Sequence, residues 1–405
     1  MRILVPDAQS FQGGVETVTT RAIDEWTKND LAKVTWVLPP HRLETFRAKF
    51  GDNSNLEFES FQWDRNHPRA WLLSILRRIG STLCSKWESR CNLAKLRKII
   101  GNRSCTHSFY FWTLGESYPH LGIPTYCLIH DLAWKVFPEN YPGRNLKSLD
   151  DSVHAWVSAS RCTFTNSGDT RAEVVSLLPT MSNKVHAVLL AASKQKTTTP
   201  RQEDLPIDES LPFFLYPSVP NPHKNHLVLF EAVLHLLEQG LRFRLVLTGC
   251  NTSQLLGDVP MNSHAPEQAR RLFQQHKHRL SDIIHATDNV SEGTLTALYC
   301  KCLAVLMPSQ YEGFGLAVAE AFAYGKPVIA SNLPVFREQI DCYQADDFVE
   351  AFPADDHQAL ADLMAERIRK GALASGKSEE LIRSTDRWTW TDVAQTYLRL
   401  MQESQ

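Results

Sequence analysis

The sequence predicts an α/β fold with two domains, each built on a doubly wound parallel sheet of the Rossmann-like kind. Short apolar or β-branched runs alternate with helical periods from end to end, which is typical of parallel sheets covered by helices on both faces. The chain has 405 residues, about the length of two ordinary domains. A polar, proline-containing stretch near the middle supplies a natural boundary.

Twelve runs are predicted to be strands, and the longest helical periods lie between them. The predicted strands are Ile3–Val5, Val34–Leu38, Leu56–Glu59, His107–Phe111, Thr125–Ile129, Cys162–Thr165, Val185–Leu190, Phe213–Tyr216, Phe243–Thr248, Ile283–His285, Leu303–Met307 and Val328–Ala330. The predicted helices include Val15–Lys28, Leu227–Gln239, Leu295–Cys302 and Gly315–Tyr324.

The domain boundary is predicted within Ser193–Pro212, which is polar, has three prolines and shows no apolar period. We expect an N-terminal domain over residues 1–195, a linker over 196–212 and a C-terminal domain over 213–385. Residues 386–405 are expected to form a helix that crosses back to the first domain. Two such sheets place the expected ligand crevice between the domains, at the carboxyl ends of the strands.

Composition excludes several classes of protein. Hydrophobic residues make up 43% of the chain and charged residues 22%, which excludes a disordered chain, and the net charge of −2 argues against a nucleic-acid partner. The start, Met1–Asp7, lacks the apolar core of a secretory signal, and no uncharged run is long enough to cross a bilayer. The nine scattered cysteines indicate free thiols, so we expect a cytoplasmic location.

One segment, Arg65–Arg103, carries a charge of its own. It has ten Lys or Arg residues against one acid, Glu88. Two interpretations stay open: a core-packing helix with a solvated basic face, or a helix pair that lies on an anionic membrane surface at the inner face of the membrane.

The most informative stretch is Pro308–Pro327, which follows an apolar strand and leads into a helix that ends at Gly325-Lys326-Pro327. Gly313 and Gly315 leave the backbone uncovered where that helix begins. Free N–H groups and the positive end of the helix dipole therefore face an incoming anion, and a diphosphate suits the position.

Two glutamates flank this helix. Glu312 precedes it and Glu320 follows eight residues later. Helical rise separates them by up to about 12 Å, so they cannot act as an acid–base pair on one atom. We expect Glu312 to hold a sugar and Glu320 to hold ribose hydroxyls at two ends of one extended ligand.

The stretch Tyr311-Glu312-Gly313-Phe314-Gly315-Leu316 with Glu320-Ala321 resembles the signature of the large retaining glycosyltransferase family 4, which has the two-domain GT-B architecture. Other segments match it in the expected order across nearly the whole chain: Gly13-Gly14-Val15-Glu16, Ile129-His130-Asp131-Leu132, Pro222-His223-Lys224-Asn225-His226 and Trp388-Thr389-Trp390-Thr391. The loop around Lys224 is similar to that of a His-Lys-Asn-His subset of the family.

The resemblance implies roles for the domains and for individual residues. The domain over 1–195 would lie on the acceptor side, and the domain over 213–385 would bind the nucleotide-sugar. Gly13 and Gly14 would let the first helix approach the donor phosphates, and His130 would face the transferred sugar. Lys224 would stabilise the leaving diphosphate with a compact positive charge. The donor loop would comprise Gly313, Phe314, Gly315 and Leu316, with Glu320 on the ribose. The catalytic residues implied are thus His130, Lys224 and Glu312.

The sequence also departs from the family pattern. Members usually have an arginine five or six residues before the lysine, where this chain has Val219 and Ser218. The loop Ala286–Ser291 lacks the usual glycine, which puts the nucleotide preference in doubt. No Asp-x-Asp triad or His/Cys cluster with ligand spacing occurs, so no cofactor or divalent metal is implied.

The sequence therefore predicts a metal-independent, retaining glycosyltransferase that moves a sugar from a nucleotide-diphospho-sugar to a hydroxyl acceptor. A polysaccharide or a lipid-linked glycan is the expected acceptor at the level of the family. Two alternatives stay open: a non-catalytic nucleotide-sugar-binding protein that has lost the phosphate arginine, and a sugar phosphorylase or epimerase on the same architecture.

Overall fold

A computed structural model of the chain describes residues 1–7, 13–61, 91–141, 143–193, 205, 207–208, 210–257, 261 and 264–404. The chain divides into two compact units. The first comprises Met1–Leu132, Asn145–Leu190 and Trp390–Gln405, and the second comprises Ala133–Arg144 and Ala191–Thr389.

The first unit is built on a parallel sheet of seven strands in the order β3-β2-β1-β4-β5-β6-β7 within the described residues. The strands are β1 Arg2–Pro6, β2 Lys33–Leu38, β3 Leu56–Ser60, β4 His107–Tyr110, β5 Thr125–Ile129, β6 Cys162–Thr165 and β7 Val185–Ala187. The last helix of the chain, Trp390–Glu403, packs on the first through Trp26, whose indole N–H donates to the carbonyl of Ala394 at 3.0 Å.

The second unit has a parallel sheet of six described strands in the order β10-β9-β8-β11-β12-β13. These are β8 Phe213–Pro217, β9 Arg244–Thr248, β10 Ile284–Ala286, β11 Val305–Met307, β12 Val328–Ser331 and β13 Val349–Phe352. The central strands are almost wholly apolar and buried because helices cover both faces of a parallel sheet.

The described helices are Gly14–Lys28, Pro40–Phe50, 91–103, Ala133–Val136, Leu146–Ala159, Gly168–Leu177, His226–Glu238, His264–Gln275, Lys277–Leu280, Glu292–Lys301, Leu316–Ala323, Pro334–Tyr343, His357–Lys370, Ser375–Ser384 and Trp390–Glu403. Short 3₁₀ turns cover Pro138–Asn140, Pro179–Lys184, Pro222–Lys224, Thr252–Leu255, Asp346–Phe348 and Thr385–Arg387. Among the described residues, no helix combines the length and the apolar character needed to span a bilayer.

Both sheets reverse their strand order at one point, between β1 and β4 in the first unit and between β8 and β11 in the second. At such a switch point the loops that leave the two strands turn to opposite sides of the sheet, which opens a crevice at the carboxyl ends. The loops after β8 and β11 contain Lys224 and Glu312, so the predicted donor residues lie at the switch point of the second sheet.

The prediction of two doubly wound parallel sheets is confirmed, while several details differ. The strand β13 was not predicted, because Val349–Phe352 lies at the sheet edge with only Phe352 buried and shows no continuous apolar run. The predicted strand Val185–Leu190 ends at Ala187. Gly315 caps its helix in the left-handed conformation, so the helix begins one residue later than predicted. Of the predicted linker, residues 194–204, 206 and 209 lie outside the described residues, as do residues 65–90 of the basic segment.

Candidate active site

The loop after β8 is built to hold Lys224 in one place. Pro222–Lys224 forms a single 3₁₀ turn, which Asn225 ends in the left-handed conformation at φ 58°. The Asn225 side-chain amide donates to the carbonyl of Pro308 at 3.0 Å and to that of Ala354 at 2.6 Å. The buried Tyr216 hydroxyl donates to the carbonyl of Lys224 at 2.5 Å. These bonds fix the main chain on both sides of the lysine.

The loops after β8 and β11 are also bonded to each other. The N–H of Gln310 donates to the carbonyl of His223 at 2.8 Å. The Lys224 ammonium lies 2.7 Å from both carboxylate oxygens of Glu312. The lysine side chain is 17% exposed and that of the glutamate is 7% exposed, so the pair is largely shielded from water.

Glu312 is held as a carboxylate. Burial by itself raises the pKa of Glu312. The positive charges of Lys224 and His223, with the hydrogen bonds from Lys224 and Ser309, lower that pKa by more than burial raises it. The pKa of Glu312 therefore lies below its ordinary value. The Ser309 hydroxyl donates to Glu312 Oε1 at 2.7 Å. A glutamate in this state accepts hydrogen bonds at neutral pH and has no proton to donate.

The glycine loop follows directly after Glu312. Gly315 has φ 80°, and a Cβ built at this position would lie 2.6 Å from Cε1 of Phe336. Glycine is therefore required here by both backbone conformation and close approach. The helix Leu316–Ala323 begins at this glycine. The Val318 N–H of its first turn donates to the Gly315 carbonyl at 3.0 Å, and the N–H groups that precede it have no intrahelical acceptor. Together with the lysine, they are the predicted site for an anion.

Glu320 lies near the other end of the same helix. Its Oε2 accepts a hydrogen bond from the Tyr299 hydroxyl at 2.7 Å, and the ring of Tyr299 is stacked on that of Tyr324 with centroids 4.9 Å apart. Burial and the neighbouring Glu320 carboxylate raise the pKa of Tyr299 well above its ordinary value, so the phenol stays a donor. Tyr299 therefore sets the orientation of Glu320.

His130 of the first unit lies just after β5. Its Nε2 is 2.6 Å from the carbonyl of Phe111 and its Nδ1 is 3.0 Å from the side-chain amide of Asn166. These partners fit a neutral ring that donates from Nε2 and accepts at Nδ1. Burial lowers the pKa of His130 and outweighs the Phe111 hydrogen bond and the Asp131 charge, which raise it. The structure thus engages both ring nitrogens with protein atoms.

Gly13 and Gly14 lie at the beginning of the first helix. Gly13 precedes the helix with φ 115°, and no atom of the described residues lies within 4 Å of a Cβ built there. Both glycines are exposed. The loop that leads into them, residues 8–12, lies outside the described residues.

The two positions where an arginine was expected are part of a tight backbone contact. A Cβ built on Gly249, at the end of β9, would lie 3.0 Å from the carbonyl carbon of Ser218. The N–H of Gly249 donates to the carbonyl of Asp288, whose carboxylate in turn accepts from the Ser253 N–H at 2.8 Å. The atypical loop after β10 is therefore anchored by Asp288 to the loop after β9.

Sequence reasoning found Lys224, Glu312 and the glycine loop but missed the residues that hold them. Ser309 and Asn225 lie inside the motifs, three residues before Glu312 and directly after Lys224, and their spacing was the available signal. Tyr216 and Tyr299 gave no sequence signal, because buried tyrosines on a strand and a helix are ordinary core residues.

Comparison with known proteins agrees with this geometry. Residues 198–384 match the family model described as "Glycosyl transferases group 1". The chain is 26% identical over 217 residues to the O-antigen chain mannosyltransferase B of Escherichia coli, a match that covers 52% of this chain and 54% of the relative. The chain thus spans about half the length of that relative.

Solved structures of similar fold cover the whole chain. A glycosyltransferase from Rickettsia africae has a TM-score of 0.69 at 16% identity, with 100% of this chain and 98% of that one covered. Anabaena HepE, solved in complex with UDP-glucose, has a TM-score of 0.69 at 14% identity, with both chains covered completely. The chain therefore has the two-domain, Rossmann-like GT-B fold, and its second unit is similar to the group 1 glycosyl transferases.

Proposed function

We propose that the chain is a glycosyltransferase of polysaccharide synthesis, which transfers a sugar from a nucleotide-diphospho-sugar to a hydroxyl acceptor with retention of configuration. One observation carries the proposal. Lys224 and Glu312 form a shielded ion pair beside the free helix N-terminus at Gly315, at the switch point of the second sheet. This unit contains the segment that matches the group 1 glycosyl transferases.

The anion site suits the diphosphate of the donor. Lysine has three N–H donors, so Lys224 can keep Glu312 and still bond a phosphate oxygen. As the glycosidic bond breaks, negative charge grows on the β-phosphate, and the ammonium and the helix N–H groups stabilise it. In this proposal those groups neutralise the diphosphate without a divalent metal, and chelation of metals leaves the transfer rate unchanged.

In this proposal Glu312 binds the transferred sugar and takes no part in proton transfer. Because its pKa is held below the ordinary value, it is ionised at neutral pH and accepts a hydrogen bond from a sugar hydroxyl. The anomeric configuration is then retained because the acceptor hydroxyl attacks on the face from which the nucleoside diphosphate departs. The departing β-phosphate takes the proton of that hydroxyl. Glu320, oriented by Tyr299, binds the ribose hydroxyls in this scheme, and Gly13, Gly14 and His130 stay predicted contributors from the first unit.

The names of the relatives point to a donor and an acceptor class. The Escherichia coli relative is an O-antigen chain mannosyltransferase, which supports mannose as the transferred sugar and a surface polysaccharide or its lipid-linked precursor as the acceptor. GDP-mannose is thus the first donor to test, beside UDP-, ADP- and dTDP-sugars in a thermal-shift screen. Membership of the His-Lys-Asn-His subset and binding to an anionic membrane through Arg65–Arg103 stay predictions. Co-sedimentation with anionic vesicles, reversed by salt, tests the latter.

The decisive experiment compares Lys224→Gln and Glu312→Gln with the wild type in donor turnover and in binding of the nucleoside diphosphate. Both substitutions are expected to lower turnover by about 100-fold or more, because each removes a group that acts on the transition state. Binding should separate them. Lys224→Gln loses the cation and binds more weakly, whereas Glu312→Gln leaves the lysine charge unopposed and binds more tightly.

The control is Lys147→Gln, which removes an exposed lysine of the first unit that makes an i,i+4 ion pair with Asp151. It should leave both readouts unchanged. Normal transfer by both test variants contradicts the proposal. Tight binding of the nucleoside diphosphate, without its release from any sugar donor, identifies the non-catalytic binding protein instead.

A further inference from the structure

The helix Pro334–Tyr343 lies directly behind the glycine loop and contacts it at two points. The ring of Phe336 fills the space beside Gly315, 2.6 Å from where a Cβ would be. Three residues further along the same helix, the Gln339 side-chain amide donates to the carbonyl of Phe314 at 2.5 Å. Gln339 is fully buried, so this bond is shielded from water.

The hydrogen bond from Gln339 fixes the direction of a neighbouring N–H group. The peptide between Phe314 and Gly315 is planar and trans, so its C=O and N–H point in opposite directions. With the carbonyl held against Gln339, the N–H of Gly315 must face the other way, out of the protein interior at the helix N-terminus. Glycine rotates easily about its own backbone bonds, so without such a bond this peptide is free to turn.

Packing alone does not account for a glutamine at this position. Gln339 Oε1 is buried without a hydrogen-bond partner in the described part of the chain. An unpaired buried polar atom costs about 1–3 kcal/mol, which an apolar side chain of similar length would avoid. The amide N–H₂, in contrast, has the Phe314 carbonyl as a specific partner.

We propose that Gln339 is a positioning residue for the donor diphosphate, which acts by holding the Phe314 carbonyl inward so that the Gly315 N–H points at the phosphate. The role rests on the proposed function, since it needs a nucleoside diphosphate at this loop. It assigns a task to a helix that no sequence motif singled out.

The first test is Gln339→Met, which keeps the length of the side chain and removes the donor. We expect the Kd for GDP or UDP, measured by calorimetry, to rise by about ten-fold, the loss of one oriented hydrogen bond to a charged group. The melting temperature should stay within a few degrees. The substitution removes the unpaired Oε1 of Gln339, and it leaves the Phe314 carbonyl oxygen without its donor. Gln358→Met, at an exposed position of the same unit, is the control and should leave the Kd unchanged.

The second test, Gln339→Glu, has a signature that a merely structural role would not give. A protonated carboxyl group can donate to the Phe314 carbonyl, whereas the ionised form cannot, and burial raises the pKa of such a group. The affinity of this variant relative to the wild type should therefore recover as the pH is lowered from 8.5 to 5.5. A ratio that stays constant over this range overturns the proposal.

The outcomes separate this role from the proposed function. A wild-type chain that binds none of GDP, UDP, ADP and dTDP overturns the function, and the role of Gln339 with it. A wild type that binds one of these four, with a Gln339→Met variant of equal affinity, overturns the role alone.

Discussion

The two units share a strand order but differ in what they place at the ends of the strands. In the second unit, the switch point brings a lysine and a glutamate into a shielded ion pair beside a free helix N-terminus. In the first unit, the strand ends carry His130, a ring whose pKa is lowered by burial and whose nitrogens bond the carbonyl of Phe111 and the amide of Asn166. One architecture thus places a shielded ion pair beside a helix N-terminus in one unit and a neutral, hydrogen-bonded ring in the other.

This difference shows why topology locates a site without defining its chemistry. The strand order fixes where two loops part, and the residues on those loops decide whether an anion is favoured there. The first unit also has a partly buried ion pair, between Arg42 and Glu16 at 2.8 Å, but it links two helices beside β1 and β2. The second unit's pair joins the two loops at the reversal itself.

The largest expected effect comes from removing the cation of each pair. Lys224→Met leaves Glu312, 7% exposed, without its counter-charge, and we expect a loss of about 3–5 kcal/mol in the free energy of unfolding at neutral pH. Arg42→Met leaves Glu16 and Asp7, which are 24% and 15% exposed and better solvated than Glu312, so its loss of stability should be smaller. Urea denaturation of both variants measures the difference.

A double substitution sharpens that comparison. Lys224→Met combined with Glu312→Gln removes both charges and should recover most of the lost stability while transfer stays absent. If the double variant is as unstable as Lys224→Met, the buried charge of Glu312 is not the cause, and the contrast between the two pairs does not hold.

The sequence predicted the fold well because buried parallel strands carry a strong local signal. Leu303–Met307 and Thr125–Ile129 are continuous apolar or β-branched runs, and the structure has β11 and β5 within them. The strand β13 was missed because Val349-Glu350-Ala351-Phe352 lies at a sheet edge, where only Phe352 is buried. Its pairing with β12 depends on tertiary packing that no short window of sequence contains.

The candidate site was predicted in part for a similar reason. Lys224 and Glu312 were found through their motifs, but their ion pair spans 88 positions and exists only because β8 and β11 are neighbours. Gln339 was missed because a glutamine inside an amphipathic helix ordinarily faces water. Its full burial against the Phe314 carbonyl could be seen only once the helix had been placed behind the loop.

The two glycines that begin the proposed anion-binding helices differ in the space around them. Gly315→Ala meets Phe336 and forces a left-handed backbone on alanine, whereas Gly13→Ala has an unfavourable backbone but open space. Overpacking adds about 1–3 kcal/mol, so Gly315→Ala should be the more destabilising by that margin and should also weaken nucleotide binding. Chemical denaturation and calorimetry check both effects.

A control glycine and a compensating change make this test specific. Gly376→Ala lies inside the exposed helix Ser375–Ser384 with no neighbour within 4 Å, and alanine there should stabilise the chain slightly. Gly315→Ala combined with Phe336→Leu should recover stability where the ring is the obstacle. If Gly315→Ala and Gly13→Ala lose the same free energy of unfolding, backbone strain alone accounts for the loss. The close approach of Phe336 then contributes nothing to it.

The smallest expected effect distinguishes two histidines with a lowered pKa, the buried His226 and the partly buried His130, by their response to acid. His226, next to the lysine loop, is 2% exposed, and both of its ring nitrogens lack a hydrogen-bond partner in the described part of the chain. Burial, reinforced by the charges of Lys224 and His223, lowers its pKa to about 3. A histidine with a lowered pKa stays neutral in the folded state while the unfolded chain takes up a proton near pH 6.5, so stability falls as the pH drops below that value.

Between pH 7 and pH 5 this residue alone should cost the wild type about 2 kcal/mol in the free energy of unfolding. His226→Phe keeps the ring against Tyr216, which lies 5.0 Å away between centroids, and removes the titration, so its stability should vary less over this range. His130→Phe should behave differently and lower stability at every pH. It takes the ring away from the carbonyl of Phe111 and leaves the Asn166 amide with the main-chain carbonyl of residue 130, at 3.3 Å. Urea denaturation at pH 5 and pH 7 measures the free energy of unfolding of the three chains. If the wild type and His226→Phe lose the same stability between pH 7 and pH 5, the His226 ring does not cause the acid sensitivity.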